Sequence, residues 1–161
     1  AASDVYKRQD LYYEANPLAE QLAGVVAHAH TGRREISVAL PQTEGQSDEQ
    51  IVNNVRHELA HIIATDLSNN KLTIAFQEGI AQYVEPPTPE LDVKMQLLQQ
   101  ALDAGQLLPW SQINQPDVPY QAPQLSYPQS YSMVAFLVQR NGFATLRRFI
   151  EASKDSNGSV S

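Results

Sequence analysis

Between residues 47 and 70 the apolar positions recur at three- and four-residue intervals, the spacing of one face of an α-helix. Ser47 and Gln50 form a capping box, and the acidic residues between them favour a helix that begins here. Polar residues at 66–70 are predicted to end it. The stripe expected to face the core consists of Ile51, Val55, Leu59, Ile62 and Ile63.

The chain after this helix keeps a mostly helical pattern, in which proline and glycine mark the ends of the periodic segments. Further helices are predicted at residues 73–85, 90–104, 130–140 and 143–152. Residues 107–124 are rich in proline and glutamine, so we expect an irregular loop that shapes a cleft near Trp110 and Tyr120.

Two strands are predicted before the capping box, at residues 22–29 and 36–40, where the pattern favours extended backbone. The turn residues at 31–34 between them indicate a hairpin. The pattern therefore predicts an α+β fold, with a small sheet packed on the long helix and a mostly helical C-terminal half.

The length of 161 residues favours one domain with a real core, which we assign to residues 10–153. Residues 1–9 resemble translated sequencing-adapter DNA and are interpreted as a non-native leader. Residues 154–161 are interpreted as a polar tail. A signal or lipid anchor upstream would have been lost with the native start, so an extracytoplasmic or membrane-anchored location is compatible with the sequence, which leaves the compartment and the oligomeric state unknown.

The formal net charge of −7, without any run of basic residues, argues against nucleic acid or an anionic membrane as a partner. No apolar run approaches the roughly 18 residues of a membrane span. The sequence has no cysteine, so a bound zinc ion would have to use histidine and carboxylate ligands.

The run His57-Glu58-Leu59-Ala60-His61 carries the candidate chemistry. Helical residues four apart project from one face, so the two imidazoles can chelate one ion, for which zinc is well suited. Glu58 points roughly 100° away from the first histidine and can reach a water molecule beside that ion. It is the candidate general base.

A third ligand is expected from the second helix, where Glu78 is the best-placed carboxylate and Gly79 permits close helix approach. Ligand histidines usually donate their second ring nitrogen to an acceptor. Gln82 and Glu85 are the candidates for that role, although either could instead face solvent.

His28 and His30 alternate along the first predicted strand and so share one face. Such a pair could bind a second metal ion. Because no acidic cluster accompanies the pair, we expect an exposed strand face instead.

The HExxH motif followed by E-G-x-A-x-Y resembles the gluzincin metallopeptidases, most closely the peptidase MA-like domains. The resemblance implies a zincin-like fold and one zinc ion bound by His57, His61 and Glu78. It further implies that Glu58 activates water to hydrolyse a peptide or protein substrate. The last strand before the metal helix, residues 36–40, would border the substrate.

The segment that begins at Tyr127 is similar to the Y-x-K-G-x-x-V-L-x-x-L helix of aminopeptidases. The resemblance implies that Tyr127 stabilises the oxyanion, with Tyr131 one turn later as the alternative. Gln129 and Ser130 replace the lysine and glycine of that helix. The sequence also lacks a G-x-M-E-N-like amine-binding motif, which favours internal cleavage over aminopeptidase action.

Two other functions stay open at this point. One is a zinc-bound but catalytically idle domain that binds peptide or cell-wall material. The other is a structural domain without metal, which a metal analysis of the purified protein would identify.

Overall fold

The computed structural model of the protein describes residues 26–155. The interpreted leader at residues 1–9, the beginning of the first predicted strand and the end of the polar tail lie outside this range. No helix within the described range is both long enough and apolar enough to cross a membrane.

The described residues form a two-stranded antiparallel sheet followed by seven α-helices, which confirms the predicted α+β class. The strands are β1 (Ala27–His30) and β2 (Glu35–Val38), with Ala27 opposite Val38. The helices are α1 (Asp48–Ser68), α2 (Ile74–Tyr83), α3 (Pro89–Asp103), α4 (Trp110–Ile113), α5 (Val118–Gln121), α6 (Pro123–Asn141) and α7 (Phe143–Ala152). Short 3₁₀ turns cover Thr31–Arg33, Leu40–Thr43 and Ser153–Asp155.

Both ends of α1 follow the sequence signals. The Ser47 hydroxyl accepts a hydrogen bond from the Gln50 backbone N–H at 3.2 Å, and the Gln50 side chain accepts one from the Ser47 N–H at 2.8 Å. Asn69 ends the helix in the left-handed conformation, with φ of 52°. These local contacts confirm the predicted bounds because they depend on neighbours in the sequence alone.

The predicted apolar stripe of α1 was partly wrong. Leu59 and Ile63 are 46% and 50% exposed, whereas Ala60, Ile62 and Ala64 are buried. Small side chains on the inner face let neighbouring elements approach α1 closely. The spacing of apolar residues predicts the helix correctly. Which of its two adjoining faces is buried depends on the elements that pack against it.

The segment before the C-terminal helices also differs from the prediction. Residues 107–124 contain the single-turn helices α4 and α5, and α6 begins at Pro123, not near residue 130. Pro123 is compatible with the first turn, where its missing N–H costs nothing. Pro128 lies inside the helix and is buried, so packing against neighbouring elements outweighs its cost there.

Helices α2 and α6 pack closely at Gly79. A Cβ atom at Gly79 would lie 2.7 Å from Val134 Cγ2 and closer still to the Ser130 carbonyl oxygen. The adjoining core cluster contains Ala64, Ile80, Val134, Leu146 and Ile150. Gly79 therefore sets the separation between the helix that carries Glu78 and the helix that carries Tyr127.

We expect Gly79→Ala to destabilise the protein by about 1–3 kcal/mol, because the overlap with backbone atoms of α6 forces the two helices apart. This cost should exceed the gain of roughly 1 kcal/mol from the better helix propensity of alanine. Urea denaturation measures the change in the free energy of unfolding. Gly32→Ala is the control, since its added Cβ meets nothing within 4 Å; equal stability of the two variants would contradict the close packing.

Candidate metal site

His57 and His61 lie one turn apart on α1 and turn their Nε2 atoms toward each other. The two atoms are 3.2 Å apart, and the ring centroids are 4.9 Å apart. The lone pairs of two ring nitrogens at this separation can be directed at the same position. A cation placed between them would contact both rings.

Glu78 of α2 completes the group. Its carboxylate oxygens lie 3.6 Å from His57 Nε2 and 3.7 Å from His61 Nε2. Zinc held tetrahedrally at about 2.0–2.2 Å from nitrogen and oxygen places its ligand atoms roughly 3.3–3.6 Å apart. The donor separations therefore fit one zinc-sized ion, and these three residues form the group within residues 26–155 that could hold a metal.

The electrostatics of the group favour a cation. Oε2 of Glu78 is buried and accepts no hydrogen bond within the described residues. Burial alone would lower the pKa of His57, but its contacts with Glu78 and Glu85 raise that pKa to about 10. Burial would raise the pKa of Glu78, but His57 and His61 hold it below its usual value. The negative charge of the carboxylates therefore favours a positively charged group at this position.

Glu58 lies beside the group and is fixed by the sheet. The Ala29 backbone N–H donates to Glu58 Oε2 at 2.7 Å. Burial raises the pKa of Glu58 to about 7, although His57 and the Ala29 N–H oppose the shift. A carboxyl with this pKa exchanges a proton readily near neutral pH, which suits a general base.

The strand that contacts Glu58 is β1, whereas the expectation that residues 36–40 border the substrate stays a prediction. Val26 pairs with Ala39, and backbone pairs in an antiparallel ladder alternate in direction. The Ala29 N–H therefore points away from β2, toward Glu58. The metal helix contacts both strands, and Glu58 accepts its backbone hydrogen bond from β1.

Glu85 reaches His57, whereas Gln82 is bonded elsewhere. Glu85 Oε1 lies 2.6 Å from His57 Nδ1, and Glu85 Oε2 accepts a hydrogen bond from the Asn53 amide at 2.9 Å. The Gln82 amide donates to the Tyr127 backbone carbonyl at 3.2 Å. Of the two candidates, Glu85 is the one that contacts a histidine ring.

Tyr127 faces the site from the first turns of α6. Burial raises the pKa of its phenol, and the neighbouring carboxylate of Glu78 raises it further. The ring of Tyr131 packs against Tyr83, with centroids 6.2 Å apart. Tyr120 was expected only to lie near the cleft. Burial raises the pKa of its phenol, and the negative charge of Glu78 raises it further.

His28 and His30 are half-buried, not fully exposed. Their rings meet edge to face at 5.2 Å, and His30 Nε2 lies 3.0 Å from the Ser37 hydroxyl. Burial lowers the pKa of both rings. Neither belongs to the metal-binding group found within residues 26–155.

The described residues form a zincin-like α+β domain with a donor set that could hold a metal ion. Residues 9–159 match the family model of the Peptidase MA superfamily, so the protein belongs to that superfamily and is a peptidase by family. Neither a curated protein nor a solved structure matches the chain.

Removing the metal should make stability fall as pH rises. The pKa of His57 is raised from 6.5 to about 10, so its stabilisation is complete below about 6.5 and is lost as pH rises through 10. The pKa of Glu58 is raised from 4.5 to about 7, so its protonated form stabilises the fold at low pH and that effect is lost by about pH 7.

Thermal denaturation in excess chelator should therefore show a midpoint that falls by several degrees between about pH 7 and about pH 10. Below about pH 6.5 the lowered pKa values of His61, His28 and His30 act in the opposite direction. Saturating zinc should flatten this dependence, because the cation replaces the proton on His57. Glu58→Gln is the matched control, and this variant should lose only the part of the pH dependence that lies below about pH 7. A chelator-treated midpoint that is constant or rises with pH would contradict the assignment.

Proposed function

We propose that the protein is a gluzincin-type zinc metallopeptidase that hydrolyses peptide bonds, with Glu58 as general base. The observation that carries the proposal is the convergence of His57, His61 and Glu78 at the edge lengths of a zinc tetrahedron. A bound zinc ion would polarise the scissile carbonyl and lower the pKa of the attacking water. The His57, His61 and Glu78 side chains would hold it.

Glu58 takes the proton of the attacking water and passes it to the leaving amine. Its pKa of about 7 lets one carboxyl accept and then release a proton at neutral pH. The hydrogen bond from the Ala29 N–H fixes one carboxylate oxygen. That contact limits rotation of the carboxylate, so the base keeps its direction toward the site.

Tyr127 donates to the oxygen that becomes negative when the carbonyl is attacked. A raised pKa keeps its phenol protonated throughout the neutral range, so the donor is always present. The Gln82 hydrogen bond to the Tyr127 carbonyl ties this turn of α6 to α2. Gln129 adds a second anchor, because its side-chain amide exchanges two hydrogen bonds with the Leu108 backbone, at 3.0 and 2.8 Å.

The substrate is an extended peptide or protein segment that lies along β1. The edge of β1 away from β2 carries the Ala29 N–H that meets Glu58. A peptide that pairs with this edge would bring its carbonyl past the base and the metal donors. We therefore assign the substrate to β1 rather than to residues 36–40, which the resemblance implies.

Glu58→Gln should reduce peptide cleavage by at least ~100-fold, because glutamine cannot accept the proton. Zinc content should stay near one ion per chain, since Glu58 is not among the metal donors. His57→Ala should lose both metal and activity. Cleavage of a peptide mixture, followed by mass spectrometry with and without chelator, gives the activity, and elemental analysis gives the zinc content.

Glu49→Gln is the matched control, because Glu49 lies exposed in the first turn of the same helix and should leave both quantities unchanged. Full turnover by Glu58→Gln would falsify the assigned base. Tight zinc binding without cleavage by the unaltered protein would instead favour the idle binding domain.

Tyr127→Phe should lower kcat by about 10²–10³-fold, with a smaller effect on KM, because it removes a hydrogen bond that strengthens as the oxyanion forms. Tyr131→Phe removes the same group from a ring that packs on Tyr83 and should leave kcat unchanged. Steady-state kinetics on the best-cleaved peptide separates the two variants. A larger loss of kcat in Tyr131→Phe than in Tyr127→Phe would instead assign stabilisation of the oxyanion to Tyr131.

A further inference from the structure

The carboxylate of Glu85 contacts α1 through both of its oxygens. Oε1 lies 2.6 Å from His57 Nδ1, and Oε2 accepts a hydrogen bond from the Asn53 amide at 2.9 Å. Asn53 and His57 are four residues apart, so their side chains project from the same face of α1, one turn apart. The carboxylate therefore spans one turn of the helix, and Asn53 binds the end that lies away from the metal donors.

The backbone of Glu85 does not fix the direction of its long side chain. Glu85 lies two residues beyond Tyr83, the last residue of α2. A carboxylate bonded through one oxygen can still turn about its own axis, whereas a carboxylate bonded through both oxygens is held in one plane. A half-buried carboxylate also needs hydrogen-bond donors to remain ionised. Asn53 supplies both the second contact and a neutral donor.

Arg56 orients the Asn53 amide. Arg56 Nη1 donates to Asn53 Oδ1 at 3.4 Å, which leaves the amide nitrogen of Asn53 for Glu85. Asn54, the next residue, donates instead to Gln46 Oε1 at 3.0 Å. Of these two adjacent asparagines, Asn53 is therefore the one bonded to the partner of a metal-binding histidine.

We propose that Asn53 is a positioning residue, which fixes the Glu85 carboxylate so that its other oxygen accepts the Nδ1 proton of His57. The inference rests on the proposed zinc site. A histidine that binds a metal ion through Nε2 carries its proton on Nδ1, and the acceptor of that proton sets the direction of the ring. Asn53 thus acts on zinc affinity through Glu85 and His57, without touching the ion.

An exchange of the two side-chain types tests the proposal. Asn53→Asp places two carboxylates against each other, and Glu85→Gln places two amide donors against each other. The double variant restores one donor and one acceptor, and the glutamine oxygen remains free to accept from His57. Zinc affinity, measured by competition with a chromophoric chelator, should weaken by about 10- to 100-fold in Asn53→Asp. The loss in the double variant should be at least ~5-fold smaller than the product of the two single losses.

NMR of the zinc-loaded, ¹⁵N-histidine-labelled protein gives a readout that a general loss of stability would not move. The His57 Nδ1 proton should exchange faster with water in Asn53→Asp than in the unaltered protein, and more slowly again in the double variant. His61 is the internal reference, because within the described residues its ring has no hydrogen bond with Asn53 or Glu85.

Asn54→Asp is the matched control, because it makes the same change at the next residue, whose amide donates to Gln46. It should leave zinc affinity and His57 proton exchange unchanged. Asn53→Leu removes the donor without adding a charge, and it should weaken zinc binding by about 3- to 10-fold even if Asn53→Asp does not fold.

Losses that simply multiply in the double variant, together with unchanged His57 exchange in Asn53→Asp, would overturn the inference while leaving the zinc site in place. If Asn53→Asp does not fold, unchanged zinc affinity in Asn53→Leu would overturn it. Failure of the unaltered protein to bind zinc would instead overturn the proposed function, so the two failures are distinguishable.

Discussion

The concentration of buried negative charge around two imidazoles is the constraint on which the site depends. Glu58, Glu78 and Glu85 all lie within reach of His57, and their charges compete for it. Such a group is stable only with a positive charge at its centre, either a proton on His57 or a divalent cation. The distances between the donor atoms of His57, His61 and Glu78 fit a divalent cation, and the surrounding negative charge favours one as well.

This charge arrangement depends on close helix packing at a distance from it. Gly79 follows Glu78 directly, and its missing side chain lets α2 lie against the Ser130 backbone of α6. The same contact brings Tyr127, one turn before Ser130, toward the carboxylates. One small residue therefore links the core of the C-terminal half to the geometry of a metal ligand and of a phenol donor.

The sheet contributes backbone, not side chains, to the site. The Ala29 N–H holds Glu58, and it is free to do so because the ladder with β2 uses the alternate backbone groups of β1. Any residue other than proline at position 29 has this N–H. No sequence pattern therefore predicts the contact between the Ala29 N–H and Glu58.

Features that depend on nearby residues were predictable from the sequence. The capping box at Ser47, the end of α1 at Asn69 and the bounds of α7 all follow local rules, and the four-residue spacing of His57 and His61 guarantees a shared helix face. Only the tertiary structure decided which face of α1 is buried, how far α6 extends before Ser130, and that Glu85 and not Gln82 meets His57. Those outcomes depend on the separation and rotation of packed elements, which sequence spacing within one helix does not fix.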